Sequence, residues 1–234
     1  MNHKARLARS PGRAFCQPEN AMTRFKNLFR RLFALCFLGG ALALTGPGLA
    51  SGTEAVDPHA EPNVFLGAVA NNMLAAVKAD PKALAGDTTA ITALVREYAL
   101  PYVDMERMTR LAAGRYWREA SAAQKAGLVD AFTGTLIRTY SGAFTKVTSG
   151  TTISLLPFRG DAKADDAVVR TTISQSNAPA IGVDYRMART DAGWKLYDLN
   201  VEGIWLIQNY RNQFADEINR SGVDGLIEAL KKRN

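Results

Sequence analysis

Cysteine and histidine are almost absent from this chain once its first segment is set aside. The two cysteines are Cys16 and Cys36, and the two histidines are His3 and His59. From residue 60 onwards there is therefore no thiol nucleophile, no disulfide, no thiolate or imidazole metal ligand and no histidine base. These absences exclude Ser-His-Asp and Cys-His catalysis in their usual forms. The chain also has no glycine motif of the phosphate-binding or dinucleotide-binding type.

An excess of positive charge is lacking as well, although the whole chain carries +7. Eight of its 29 basic residues but only one of its 22 acidic residues lie in residues 1–50. The remainder is balanced, with 21 residues of each sign. A nucleic-acid-binding domain needs a basic surface, and the balanced charge of residues 51–234 argues against one.

The N-terminal segment has the pattern of an export signal. A basic stretch ending at Arg31 precedes the uncharged apolar run 32–50, which ends in small residues. This order is typical of a secretory signal peptide, and we expect cleavage near Ala50, a start at Met1 or Met22, and a periplasmic location. A periplasmic domain with its own core does not need disulfides. The alternative is that the apolar run stays uncleaved as a membrane anchor.

The rest of the chain divides into a short leader and one domain. Residues 51–61 are polar and predict a flexible leader, and residues 62–234 predict a single folded domain. Its first half is helical in pattern. Helices are expected to begin at Pro62, after the N-caps Asp87 and Asp104, and at a capping box formed by Ser121 and Gln124.

The second half changes to the alternating pattern of strands. Four strands are predicted, followed by a helix from Ile204 and a second helix after Gly222; the strand ranges are 151–158, 167–175, 181–188 and 194–202. Short turns between the strands indicate an antiparallel meander. The predicted fold is α+β, a twisted four-stranded antiparallel sheet with several helices packed on one side.

Two readings of the core remain open at this point. The many aromatic side chains either fill the core or line an apolar ligand pocket between sheet and helices. Paired carboxylates leave a catalytic alternative, because Asp198 and Glu202 share a face and could act as a hydrolase pair. Bonds from these carboxylates to a helix end or an arginine are the simpler expectation.

Three sequence motifs in a fixed order carry a resemblance to a known family. They are G-R-Y-W at residues 114–117, R-T-Y at 138–140 and N-Y-R-x-Q-F at 209–214, the last followed by G-V-D-G-L-I-x-x-L at 222–230. Together they resemble the MlaC family, also called the toluene-tolerance family, over about residues 62–230. One departure is Trp205, where the family pattern has a smaller residue, often Ser.

The resemblance implies a periplasmic phospholipid carrier and not an enzyme. It implies a deep apolar pocket for the acyl chains, bound phospholipid as cargo and no cofactor or metal. It also implies two partners, an inner-membrane ABC transporter with an MCE-domain subunit and an outer-membrane lipoprotein complex, and a role in outer-membrane lipid asymmetry. Two alternatives stay open, a carboxylate-dependent hydrolase and a membrane-tethered adaptor of a transport complex.

Candidate site residues follow from the predicted inward faces under the carrier hypothesis. The pocket-lining candidates are Tyr102, Tyr140, Val183, Tyr185, Leu199, Val201, Ile204 and Tyr210. Because a charged headgroup should remain at the wet rim of such a pocket, the cations Arg186 and Arg211 are candidate headgroup contacts.

Overall fold

The computed structural model describes residues 54–232 except residues 162 and 177. The predicted signal peptide and the first leader residues lie outside this range. Within it the chain forms seven α-helices and five strands. The helices are α1 Pro62–Ala79, α2 Pro81–Leu84, α3 Thr88–Tyr98, α4 Met105–Ala113, α5 Tyr116–Glu119, α6 Ala122–Tyr140 and α7 Leu206–Lys232. The strands are β1 Thr152–Leu155, β2 Asp166–Gln175, β3 Ala178–Thr190, β4 Gly193–Val201 and β5 Ile204–Trp205. The α+β class is confirmed.

Local sequence signals start the helices where they were predicted. Asp87 accepts a hydrogen bond from the backbone N–H of Ala90 at the start of α3, at 2.8 Å. Asp104 caps α4 in the same way, and Ser121 and Gln124 form both bonds of a capping box at the start of α6. Each cap satisfies backbone donors that have no partner inside the helix.

The sheet is an antiparallel meander in the order β1-β2-β3-β4-β5, so the predicted count of four strands is wrong by one. The additional strand, β5, is only two residues long. It pairs with β4 through Val201 and Ile204, across a turn in which Glu202 has φ 53° and Gly203 has φ 85°. Positive φ at both central residues is typical of a tight type I′ hairpin. The helical period that follows immediately hides this short strand in the sequence.

The apolar core consists of two separate clusters. The helical cluster joins α4, α6 and α7 around Phe132, Tyr210 and Phe214, whose rings meet edge to face with centroids 4.8–5.8 Å apart. The sheet cluster joins α1 to β2, β3 and β4 around Phe65 and Met187. The C-terminal helix α7 is interrupted at Gly222, with φ 72°, where the second helix was predicted.

Residues just before α1 are held against the fold. Pro58 O accepts the backbone N–H of Trp194 at 2.8 Å, and Glu54 and Asn72 exchange two hydrogen bonds. Residues 54–61 were expected to be part of a flexible leader, whereas these contacts attach them to β4 and α1. No helix within the described range is long and apolar enough to cross a membrane.

Candidate lipid pocket

One face of the sheet is mostly apolar, and it is closely packed at one end, the closed end. Met187 on β3 pairs with Ala167 on β2 and with Leu196 on β4. All three are buried, with Met187 fully so. Phe65 of α1 and Trp194 complete the packing there. This end of the face is therefore sealed from water.

Beyond the closed end the same face holds half-buried residues as well as buried ones such as Thr171 and Val183. Two residues along β3, Tyr185 is half-buried between Val169 and the half-buried Leu199. The last row of the face consists of Ile153, Ile173 and Ile181, which pair across β1, β2 and β3 and are all only half-buried. Large aliphatic side chains facing inward but left open to water indicate a cleft that their own core does not fill.

The two clusters of the core meet along half-buried apolar residues. Leu199 and Val103 are half-buried and contact both clusters. Tyr102 and Tyr185 contact the sheet cluster, and Tyr140 contacts the helical cluster. Half-buried apolar groups thus form the boundary between two fully buried regions.

The phenol groups of this boundary have partners within the wall. Tyr185 shares a hydrogen bond with Thr171, and burial raises the pKa of the Tyr185 phenol. Burial also raises the pKa of the Tyr140 phenol, and a hydrogen bond with Tyr210 raises it further. Both phenols therefore stay neutral at physiological pH. Because these hydroxyls are paired, the wall offers an apolar guest a surface with little polar competition.

Most of the predicted pocket residues lie on or beside the inner face of the sheet, and their role in a pocket stays a prediction. Val183 and Val201 form one pair of the inner face, Val183 buried and Val201 half-buried. Ile204 pairs with Val201 at the sheet edge and is 37% exposed. Tyr210, in contrast, is buried among the rings of the helical cluster and shares a hydrogen bond with Tyr140.

Arg186 is on the opposite face of the sheet from Tyr185. Its guanidinium stacks on the ring of Trp205 at 3.7 Å and pairs with the Asp198 carboxylate at 3.2 Å. The departure from the family pattern at Trp205 thus lies on the outer face. Since strand residues alternate between faces, Arg186 points away from the inner face, and its role as a headgroup contact stays a prediction.

Arg211 is likewise placed away from the inner face of the sheet. It is exposed on α7, and its guanidinium lies against Gly114 at the end of α4. A Cβ on Gly114 would be 3.6 Å from Nε of Arg211, and Gly114 has φ 58°. The contact is consistent with a cation beside the C-terminal carbonyls of a helix.

The open row of Ile153, Ile173 and Ile181 was not among the residues predicted from the sequence. Ile181 could have been found, because it alternates in phase with Val183 and Tyr185 on β3. Ile153 and Ile173 could not, because their membership of the row depends on strand register, which the sequence does not specify.

The two carboxylates of the hydrolase alternative are already engaged. Asp198 is 2% exposed and accepts the backbone N–H groups of Leu199 and Ile207 in addition to Arg186. Burial raises the pKa of its carboxyl, and these three bonds oppose that rise. Glu202 accepts the backbone N–H of Gly182 at 3.1 Å. Both are explained as structural groups that fix the start of α7 and the last hairpin.

Comparisons with known proteins agree on one family. The family model described as MlaC protein matches residues 68–232. The intermembrane phospholipid transport system binding protein MlaC of Haemophilus influenzae is 22% identical over 183 residues, which covers 77% of this chain and 85% of that protein. The toluene tolerance protein ttg2D of Pseudomonas putida is 28% identical over 129 residues, 53% of this chain and 57% of that protein.

A solved structure is similar over about three quarters of the chain. It is the phospholipid-binding protein of Ralstonia solanacearum in complex with a phospholipid, with a TM-score of 0.69, 38% identity, and coverage of 74% of this chain and 96% of that chain. The α+β fold with an open apolar cleft defines a lipid-binding class of protein and not an enzyme. The chain belongs to the MlaC family.

Proposed function

We propose that this protein is a periplasmic carrier that holds a phospholipid by its acyl chains in the cleft between the sheet and the helices. The observation that carries the proposal is the half-buried row of Ile153, Ile173 and Ile181 at the open end of the mostly apolar inner face. A relative that is 38% identical and is matched over 96% of its length was solved with a phospholipid bound, which supports the same cargo here.

The energetics of such a cargo explain the apolar wall. A diacyl lipid has roughly 30 methylenes, and exposing them to water costs on the order of 25 kcal/mol, at about 0.8 kcal/mol each. A carrier must bury nearly all of that surface. Because the source membrane buries it too, the transfer free energy is small, and partners set the direction of transport.

The partners we propose follow from the family. They are an inner-membrane ABC transporter with an MCE-domain subunit and an outer-membrane lipoprotein complex, between which the carrier shuttles lipid and thereby maintains outer-membrane asymmetry. The name of the Haemophilus influenzae relative, which assigns it to an intermembrane phospholipid transport system, supports this role.

Lipid loading is tested by filling the cleft. Val201→Trp places a large ring at a half-buried position of the inner face, whereas Val168→Trp makes the same change on the outer face, where Val168 is 41% exposed. We expect native mass spectrometry of the folded domain to show a diacyl phospholipid on wild type and on Val168→Trp, and an occupancy reduced at least about tenfold on Val201→Trp. Full occupancy of a folded Val201→Trp protein would contradict the pocket assignment.

Export is tested by the mass of the protein recovered from the periplasm. We expect a mature N-terminus near Ser51, because the basic, apolar and small-residue order of residues 1–50 is that of a cleaved signal. A cell-fractionation control should show the same species free of membranes. A full-length, membrane-bound product would favour the tethered adaptor instead.

A further inference from the structure

Lys78, in the last turn of α1, is fixed at a defined place by the chain that leads into β1. Its Nζ donates to Thr151 O at 2.7 Å and to Ser149 O at 3.0 Å. A lysine side chain normally keeps much conformational freedom. Two backbone acceptors remove most of that freedom here, so the ammonium has a definite position.

That position is at the open end of the cleft. The helix α1 runs alongside β1, because Gly67 lies against Leu155 and Lys78 lies against Thr151. Eleven helical residues span about 16 Å, and four strand residues span about 13 Å, so the two contacts are mutually consistent. Thr151 is two residues before Ile153 of the open row, and the sealed end at Met187 is at the opposite end of the face.

The charge of Lys78 is left without a counter-ion. No carboxylate of the described residues lies within 4.0 Å of its Nζ. An ammonium has three N–H donors, and the two carbonyls account for two of them. One donor and a full positive charge therefore remain for a ligand at the rim.

We propose that Lys78 is the anchor for the phosphate of the lipid whose chains occupy the cleft. This rests on the proposed carrier function. Apolar chains directed toward Met187 leave the polar end of the lipid beside Ile153 and Ile181, where Lys78 is held. A phosphodiester keeps a negative charge at all physiological pH values and is a strong acceptor for a cation, and a charge-assisted bond of this kind is stronger than a neutral one. Arg186 and Arg211, the cations expected from the sequence, lie elsewhere.

A phosphate anchor at Lys78 should distinguish lipids by whether they carry a phosphate and not by their acyl chains. The experiment loads wild type and Lys78→Gln from vesicles containing phosphatidylglycerol or diacylglycerol with identical chains, and measures the retained lipid. We expect Lys78→Gln to weaken retention of phosphatidylglycerol by about tenfold and to leave diacylglycerol unchanged. Lys78→Arg should restore phosphatidylglycerol retention, and Lys82→Gln, at an exposed lysine four residues further on, should behave as wild type.

Three results would overturn the proposal that Lys78 anchors the lipid phosphate. Equal losses for both lipids would show that Lys78 only supports the loop at residues 149–151, and no loss would show that the phosphate is not contacted. Displacement of phosphatidylglycerol by millimolar inorganic phosphate would show a site for free anions. In each case wild type still carries phospholipid, and the carrier function stands. Wild type that takes up neither lipid would instead refute the carrier function itself.

Discussion

Gly193 shows how much of the closed end depends on one residue. It has φ 94°, and a Cβ there would lie 2.3 Å from the carbonyl oxygen of Pro58. The next residue, Trp194, donates its backbone N–H to that same oxygen and its indole N–H to Ala60 O. Any side chain at Gly193 would push the pre-helix segment off the sheet and disturb the packing around Trp194.

We therefore expect Gly193→Ala to lower the free energy of unfolding by about 2–4 kcal/mol, because it combines an unfavourable φ with a backbone clash. Gly182→Ala is the matched control, since a Cβ at Gly182 meets nothing within 4 Å, and it should change stability by less than about 0.5 kcal/mol. Urea unfolding curves of the two variants measure the difference. Equal effects would mean that the contact with Pro58 is unimportant.

At the scale of elements, the C-terminal part of α7 is fastened to α6 by polar contacts at its end. Leu230 O accepts hydrogen bonds from the Thr135 hydroxyl and from Nη2 of Arg138, each at 2.8 Å. These donors satisfy a carbonyl in the last turn, which has no partner within the helix. The break at Gly222 makes the segment after it dependent on such contacts.

Arg138→Met should loosen this segment specifically. We expect a loss of about 1–2 kcal/mol from a charge-assisted bond to a carbonyl, together with faster amide hydrogen exchange in residues 223–232 and unchanged exchange in β2 and β3. Lys231→Met, at an exposed lysine of the same segment, serves as the control. Faster exchange throughout the sheet would show that Arg138 supports the whole fold.

The elements also show what the sequence could predict. Asp87, Asp104 and the Ser121 capping box act within a few residues of the chain, so their helices could be located from local pattern alone. Strand β5 and the rows of the inner face could not, because they depend on register and on a turn that merges into α7. The partners of Arg186, which are Asp198 and Trp205, are set by tertiary structure and could not be predicted from the alternation on β3.

At the scale of the molecule, the separation of the core into two clusters could not be predicted from the sequence. The same aromatic and aliphatic residues could fill a continuous core or border a cleft, and the spacing between sheet and helices decides between these. Half-burial of Tyr102, Tyr185 and Leu199 is a property of that spacing and not of residue type.

A cleft of this kind makes stability depend on cargo. We expect delipidated protein to unfold at a lower temperature than loaded protein and to recover on incubation with phospholipid vesicles, because a ligand that binds only the folded state stabilises it. Val201→Trp should unfold at a temperature that vesicles do not change, since its ring occupies the space of the lipid. Differential scanning calorimetry tests this, and identical midpoints for loaded and delipidated wild type would contradict it.

The distance between the sealed and open ends of the inner face also limits which chains can be carried. From Met187 to Ile181 the strand advances about 20 Å, whereas one leaflet of a bilayer has a hydrocarbon depth of about 15 Å, half of its roughly 30 Å core. Acyl chains of ordinary membrane length fit between the two ends. Under the proposed carrier function each methylene beyond that length would remain in water at a cost of about 0.8 kcal/mol, so we expect longer chains to be retained less well.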